Sequence, residues 1–271
     1  MIKVLTILWN SFKMALQELR VNKLRTFLSL FGITIGIFCI IGVLATIDSL
    51  QTKIKSDLSS FGNNTIYIDK WSYGGGGEGD YPWWKYVKRP SMKVSEMETI
   101  QKKSYLASNI AFFVSSTQSF TYEENILKGI SMYGITNDFN KIQAFNIAYG
   151  RYFKDSDFER GVPFGVIGYE VAAELFGKPE KALGKIVSYK GRRLAVIGII
   201  EKQGSSMLGG FDYDKSCIVT YNYFASIFNP DNSSPYIMVQ AKPGITSRAL
   251  QDELNGVMRQ LRKLSPTQED N

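Results

Sequence analysis

FLSLFGITIGIFCIIGVLATI, residues 27–47, runs for 21 residues without a charge. At about 1.5 Å of rise per residue such a helix matches the roughly 30 Å hydrocarbon core of a bilayer, so the stretch predicts a transmembrane helix. A cleaved signal peptide fits poorly: the 26-residue lead and the 21-residue apolar core are both too long, and no small-x-small cleavage site follows. Arg20, Lys23 and Arg25 lie on one side of the stretch and Asp48 on the other. The positive-inside rule then places the N-terminus in the cytoplasm and residues after about 48 outside it.

Charge supports the same reading. The chain has 271 residues, is 44% hydrophobic and 21% charged, and carries a formal charge of +7. That is ample apolar content for a packed core. Ahead of Phe27, five cations (Lys3, Lys13, Arg20, Lys23, Arg25) face one anion (Glu18), leaving +4; the remainder, with 27 cations and 24 anions, leaves +3. The excess flanks the apolar helix rather than forming a nucleic-acid stripe, and nucleic acid is excluded as a partner. The absence of histidine removes the commonest general base, the Ser-His-Asp and Cys-His constellations, and most zinc sites. Cys39 lies inside the apolar run and Cys217 far beyond it, so both are predicted to be free.

The segments beside the membrane helix are patterned. Leu5, Leu8, Phe12, Leu16 and Leu19 recur at three- and four-residue steps, opposite Lys3, Thr6, Asn10, Lys13, Gln17 and Arg20. This predicts an amphipathic cytoplasmic helix within 1–26, lying along the inner membrane surface or bracing a cytoplasmic partner. Beyond the span, Leu50, Ile54, Leu58 and Phe61 keep a helical rhythm until Gly62 supplies a stop, so 48–62 predicts a stalk. Within the span, Gly32 and Gly36 stand four apart and Ser29 and Cys39 extend their face, a pattern that lets a second helix approach closely.

After a short strand at 65–68, a stretch combining Trp71, Tyr73, a glycine run, Tyr81, Trp83, Trp84 and Tyr86 reads as a loop. No Lys-Ser or Lys-Thr closes the run, which excludes a phosphate-binding loop. Trp71, Trp83 and Trp84 either contact a partner or the membrane interface, or fold back onto their own domain. Downstream, 95–103 predicts a helix with Ser95 as N-cap and Glu98 closing a capping box. Strands are expected at 110–115, 126–135, 164–167, 217–220 and 236–241, a hairpin from 185–189 and 194–201 turning at Lys190 and Gly191, and helices at 169–176 and 246–263. The fold class is α+β. Asp155, Asp157 and Glu159 lack the calcium-loop glycine and glutamate spacing, and are expected to cap and solvate a surface turn. Glu123 and Glu124 carry no acid–base spacing. No catalytic residue, cofactor or metal ligand emerges.

Asn22-Lys23-Leu24-Arg25 before the glycine-bearing helix, then Phe61-Gly62-Asn63-Asn64-Thr65-Ile66, resembles the start of MacB-type ABC transporter permeases. Gly150-Arg151-Tyr152-Phe153 with Asp157, Leu175-Phe176-Gly177, Gly184-Lys185 and Val196-Ile197-Gly198-Ile199 continue the likeness through the outer domain; the aromatic glycine loop departs from it. The resemblance implies one transmembrane helix with a stalk and a two-lobed extracytoplasmic domain: a porter-like α/β lobe from 63–140 and 233–271, with a second α/β lobe, 141–232, inserted. It implies a non-catalytic permease in the bacterial inner membrane, paired or homodimeric and driven by an ABC ATPase on a separate chain. A periplasmic adaptor protein is a further implied partner. The work is mechanical: Gly32, Gly36, Ser29 and Cys39 pack helices, and Leu50, Ile54 and Leu58 form the stalk. Because the family has four membrane helices, the chain is expected to be a fragment. The other class of function is a single-pass membrane-anchored binding or sensor module.

Overall fold

The structure is a computed structural model that describes residues 2–60, 64–71, 83–143, 145–204 and 210–265. It divides into two compact units, Met1–Ser56 and Asp57–Asn271. The first begins with α1 (Ile2–Val21) and continues into α2 (Lys23–Ser60). Asn22 separates them: its carbonyl accepts the Thr26 N–H at 3.0 Å as α2 starts. With 38 residues, α2 is about 57 Å long. The expected stop at Gly62 lies outside the described residues.

Beyond the last turn of α2, which belongs to it, the second unit continues with β1 (Thr65–Ile68). The glycine run, with Tyr73 and Tyr81, lies outside the described residues, but the stretch expected to be wholly loop ends in a short helix, α3 (Trp83–Val87). Then come α4 (Val94–Lys103), β2 (Ala107–Tyr122), β3 (Asn125–Ile135), α5 (Phe139–Ile142), β4 (Ile147–Gly150) and α6 (Asp155–Arg160). They are followed by β5 (Phe164–Ile167), α7 (Tyr169–Phe176), β6 (Ile186–Tyr189) and β7 (Arg192–Ile200). The described chain closes with β8 (Ser216–Thr220), α8 (Tyr221–Ala225), β9 (Tyr236–Ala241) and α9 (Ser247–Leu261).

Helix α4 starts one residue before the expected cap, and a different glutamate closes it. Glu96 Oε2, not Glu98, accepts the Lys93 N–H at 2.9 Å. An acidic side chain at the third helical position satisfies a backbone donor that the helix itself cannot.

The strands run in the order β1-β9-β2-β3-β8-β5-β7-β4, and β6 pairs with both β2 and β7. That second pairing closes a ring, β2-β3-β8-β5-β7-β6, in which Thr121 opposite Ser188 joins the ends. A six-stranded barrel results, extended on one side by β9 and β1. Closure matters because it pairs strand edges that would otherwise be open.

Alternation along the strands feeds two cores. Phe112 and Val114 of β2, Cys217 and Val219 of β8, Ile167 of β5 and Leu194 of β7 belong to one, covered by Met97 and Ile100 of α4 and Leu250 and Leu254 of α9. Their strand neighbours Phe113, Ile218 and Val166, with Ile200 at the end of β7, belong to the other, beneath Phe139 and Ile142 of α5 and Phe158 of α6. The parallel pairing of β3 with β8 hydrogen-bonds 63–140 directly to 141–232 within one sheet.

The acidic turn differs from expectation. Asp157 does cap α6, accepting the Lys154 N–H at 3.0 Å, but it is buried rather than solvated, with Arg151 Nη1 at 2.8 Å.

Candidate functional site

Two features of the described residues are candidates for function: the apolar part of α2, and a cavity beside α9. In the first unit, one helix, Lys23–Ile54, is long and apolar enough to cross a membrane, and its most apolar window has none of its residues buried. Thr34 and Thr46 donate their hydroxyls to the carbonyls of Leu30 and Gly42, each at 2.8 Å, so no hydroxyl of these two is left to face hydrocarbon unpaired. Phe27 and Phe31 stack one turn apart with centroids 5.6 Å apart.

Ser29, Gly32, Gly36 and Cys39 stand at steps of three and four along α2 and share one exposed stripe. A Cβ added at Gly32 or Gly36 would meet nothing within 4 Å. Cys39 is a free, exposed thiol, whereas Cys217 is free and enclosed in the core, where burial pushes its pKa up. Leu50 is exposed and Ile54 half-buried on the same helix, which runs unbroken through Leu58; the Leu58 side chain lies outside the described ones. Of the tryptophans, Trp71 is half-buried with Lys70 Nζ 5.6 Å from its ring centroid, and Trp84 is exposed. Trp83 opens α3, and its side chain also lies outside the described ones.

The second feature was not legible in the sequence. A cavity of about 200 Å³ is lined by β1, by the segment carrying Arg89 and Met92, by Leu254 and Met258 of α9, and by Arg262 just after it. The Gln143 side-chain amide donates to the hydroxyl of the lining residue Tyr67 at 2.8 Å. Burial raises the Tyr67 pKa to about 12, offset in part by that bond. Arg262, which follows α9, puts Nε 3.2 Å from Glu96 Oε1 at the start of α4. At the other end of α4, Glu253 of α9 accepts the Ser104 hydroxyl and the backbone N–H of Tyr105 at 2.8 Å. Burial alone would raise the Glu253 pKa, but the Ser104 and backbone bonds outweigh it and hold the carboxyl below its usual range. Two acid-centred clasps therefore fasten α9 to α4 at both ends. No group of three or more His, Cys, Asp or Glu able to hold a metal occurs among the described residues.

The motifs that carried the family resemblance have a structural account. Gly150 and Gly198 face each other where β4 pairs antiparallel with β7, with the Arg151 N–H donating to the Ile197 carbonyl at 3.0 Å. A Cβ on Gly150 would strike that carbonyl, and one on Gly198 would strike the carbonyl of Arg151. Arg151 in turn pairs with Asp157, where burial, which alone would raise the carboxyl's pKa, is outweighed by the Lys154 N–H and the Arg151 guanidinium.

Comparison with known proteins agrees with this architecture. The model of the MacB-like periplasmic core domain matches residues 26–257. The chain is 32% identical, over 71% of its own length, to the macrolide export ATP-binding/permease protein MacB of Neisseria gonorrhoeae. It is 22% identical, over 94% of its length, to the pyoverdine export ATP-binding/permease protein PvdT of Pseudomonas syringae. It spans only 28% and 37% of those relatives. In fold it is similar to the periplasmic region of MacB from Actinobacillus actinomycetemcomitans (TM-score 0.61, 18% identity, 76% of this chain and 87% of that one). It is also similar to the extracellular domain of the Gram-positive transporter YknZ (TM-score 0.56, 22% identity, 73% of this chain and 93% of that one). A match across residues 26–257 makes the chain a member of the MacB-like periplasmic core domain family of ABC transporter permeases.

Proposed function

We propose that this chain is the membrane-anchored permease portion of an ABC transporter that couples cytoplasmic ATP hydrolysis to expulsion of a small molecule from the periplasmic side. Two relatives are named for macrolide and pyoverdine export, which supports efflux as the direction. The carrying observation is α2, one uninterrupted helix whose apolar length matches a bilayer and whose remaining turns continue past it. A stiff helix of this length converts motion at one end into motion at the other, since bending it costs backbone hydrogen bonds along its whole length.

In this reading α1 lies on the cytoplasmic face of the inner membrane and the residues after α2 are periplasmic. The ATPase acts from a separate chain, a paired permease packs on the Gly32/Gly36 stripe, and a periplasmic adaptor protein completes the route. Residues 63–140 and 233–271 form the porter-like lobe and 141–232 the inserted one. The test is to express the tagged chain in a bacterial inner membrane, extract it in mild detergent and identify what comes with it. An ABC ATPase is expected in the eluate, and protease added to spheroplasts should cleave beyond residue 60. A chain that purifies without an ATPase acts as a stand-alone receptor, and protection from external protease would reverse the orientation.

A further inference from the structure

The cavity beside α9 is graded from an apolar interior to a polar mouth. Gln251, Asn255, Met258 and Arg262 line it at steps of four, three and four, so one stripe of α9 and the residue that ends it form a wall. Leu254 on that wall and Met92 opposite are buried in the first core, and Ile66 and Ile68 of β1 pack against the same core. These four make the inner end apolar. Gln251 and Asn255 are exposed and stand at the mouth. The lining charges select no sign, because Asp69 stands with Arg89 and Arg259, and Arg262 is met by Glu96. Sulfur and guanidinium are what set this lining apart from a plain aliphatic one. Met92 and Met258 bring two thioethers, and Arg262 Nη2 lies 3.3 Å from Met92 Sδ. Held by Glu96 as well, that guanidinium is fixed in the wall before any ligand arrives.

We infer that this cavity binds a single-ring aromatic compound carrying a neutral polar group. Its volume of about 200 Å³ exceeds the roughly 150 Å³ in which an apolar cavity takes up benzene, which leaves room for one substituent. It falls short of the roughly 300 Å³ at which pockets for drug-sized molecules begin. Thioethers favour the edge of an aromatic ring and a guanidinium stacks on its face, so this lining prefers a ring to a saturated body of equal size. Arg89 shows the preference within the chain, its guanidinium 4.7 Å from the Tyr86 ring centroid. At the mouth the side-chain amides of Gln251 and Asn255 both donate and accept hydrogen bonds, which matches a neutral substituent that does the same. The site rests on the cavity and not on the transport reading, since such a ligand binds with or without an ATPase.

The experiment titrates benzamide, and its saturated counterpart cyclohexanecarboxamide, into the full chain in phosphatidylcholine nanodiscs, read by saturation-transfer NMR against empty nanodiscs. Saturable benzamide binding with Kd on the order of 1 mM or tighter is expected, and at least threefold weaker binding of the saturated amide. Met258→Trp, which fills the cavity, should weaken benzamide at least tenfold. Asn255→Trp, at an exposed position that leaves the core alone, should weaken it severalfold and keeps the test standing if Met258→Trp does not fold. Met258→Leu conserves volume but removes a sulfur, and should narrow the gap between the two amides. Ile126→Trp, which adds the same ring on the exposed side of β3, should change nothing. The inference is overturned if no saturable signal rises above that of empty nanodiscs, if the two amides bind equally, or if Ile126→Trp weakens binding as much as the cavity variants. Circular dichroism of each variant establishes that the fold is retained.

Discussion

Arg262 and Glu96 form a nearly enclosed ion pair, Nε to Oε1 3.2 Å, between residues 166 positions apart, with 7% and 12% of their side chains exposed. Glu96 Oε2 also accepts the Lys93 N–H that begins α4. One carboxylate therefore both starts a helix and holds the end of another against it.

Arg262→Ala should cost about 3 kcal/mol, because it strands a buried carboxylate. Replacing both partners with methionine should cost far less, since no charge is then left enclosed. Urea unfolding of the detergent-solubilised chain, followed by tryptophan fluorescence, separates the two outcomes; equal losses would mean that the pair acts through packing alone.

Asp157 gives a pH dependence whose sign is fixed by its lowered pKa. A carboxyl that binds protons less readily when folded contributes stability above its unfolded pKa of about 3.9 and loses it as pH falls through the folded value. Asp157→Asn should cost about 1–2 kcal/mol at pH 7, Arg151 being partly exposed and screened, and should flatten the decline in stability below pH 4. A variant that keeps the wild-type slope in acid would place the titration elsewhere.

Gly198→Ala should destabilise by about 2–3 kcal/mol or prevent folding, because its Cβ would strike the Arg151 carbonyl. At Gly177 the added methyl meets open space and only the backbone angle, φ +74°, resists it, so Gly177→Ala should cost about 1 kcal/mol. Thermal melts of the two variants give the comparison directly.

Gly32→Leu/Gly36→Leu should weaken helix packing without unfolding anything, since both positions face open space in the isolated chain. Cysteine cross-linking through native Cys39 reports it: reduced cross-linking and lowered transport are expected, and an unchanged yield would remove the stripe from the interface.

Local elements were largely legible. The runs at 164–167, 169–176 and 236–241 appear with the bounds their sequence predicts. Each is short, apolar and followed by its own terminator or turn, so neighbours in the chain decide it. The start of α4 was misread because Ser95 and Glu98 offered a second capping pair of the same spacing, and local chemistry does not rank the two. Asp157 was misread because burial depends on Arg151 and α6 folding over it, which a turn composition does not reveal. The spacing of Ser29, Gly32, Gly36 and Cys39 along one helix was readable, whereas the cavity lined by Arg89 and Arg262 joins residues that share no sequence pattern.

By itself the sequence determined the 21-residue apolar run, the helix that continues beyond it, and the alternation of apolar residues that makes the remainder a mixed α/β fold, because these depend on periodicity within a dozen neighbours. Only the tertiary structure decided that β6 meets β2 and closes a barrel, that Arg262 finds Glu96, and that Ile126, Ser188 and Arg193 share one face. Those relationships are set by strand register and packing between segments 60 or more residues apart, where many pairings satisfy the same local pattern and only the whole core selects among them.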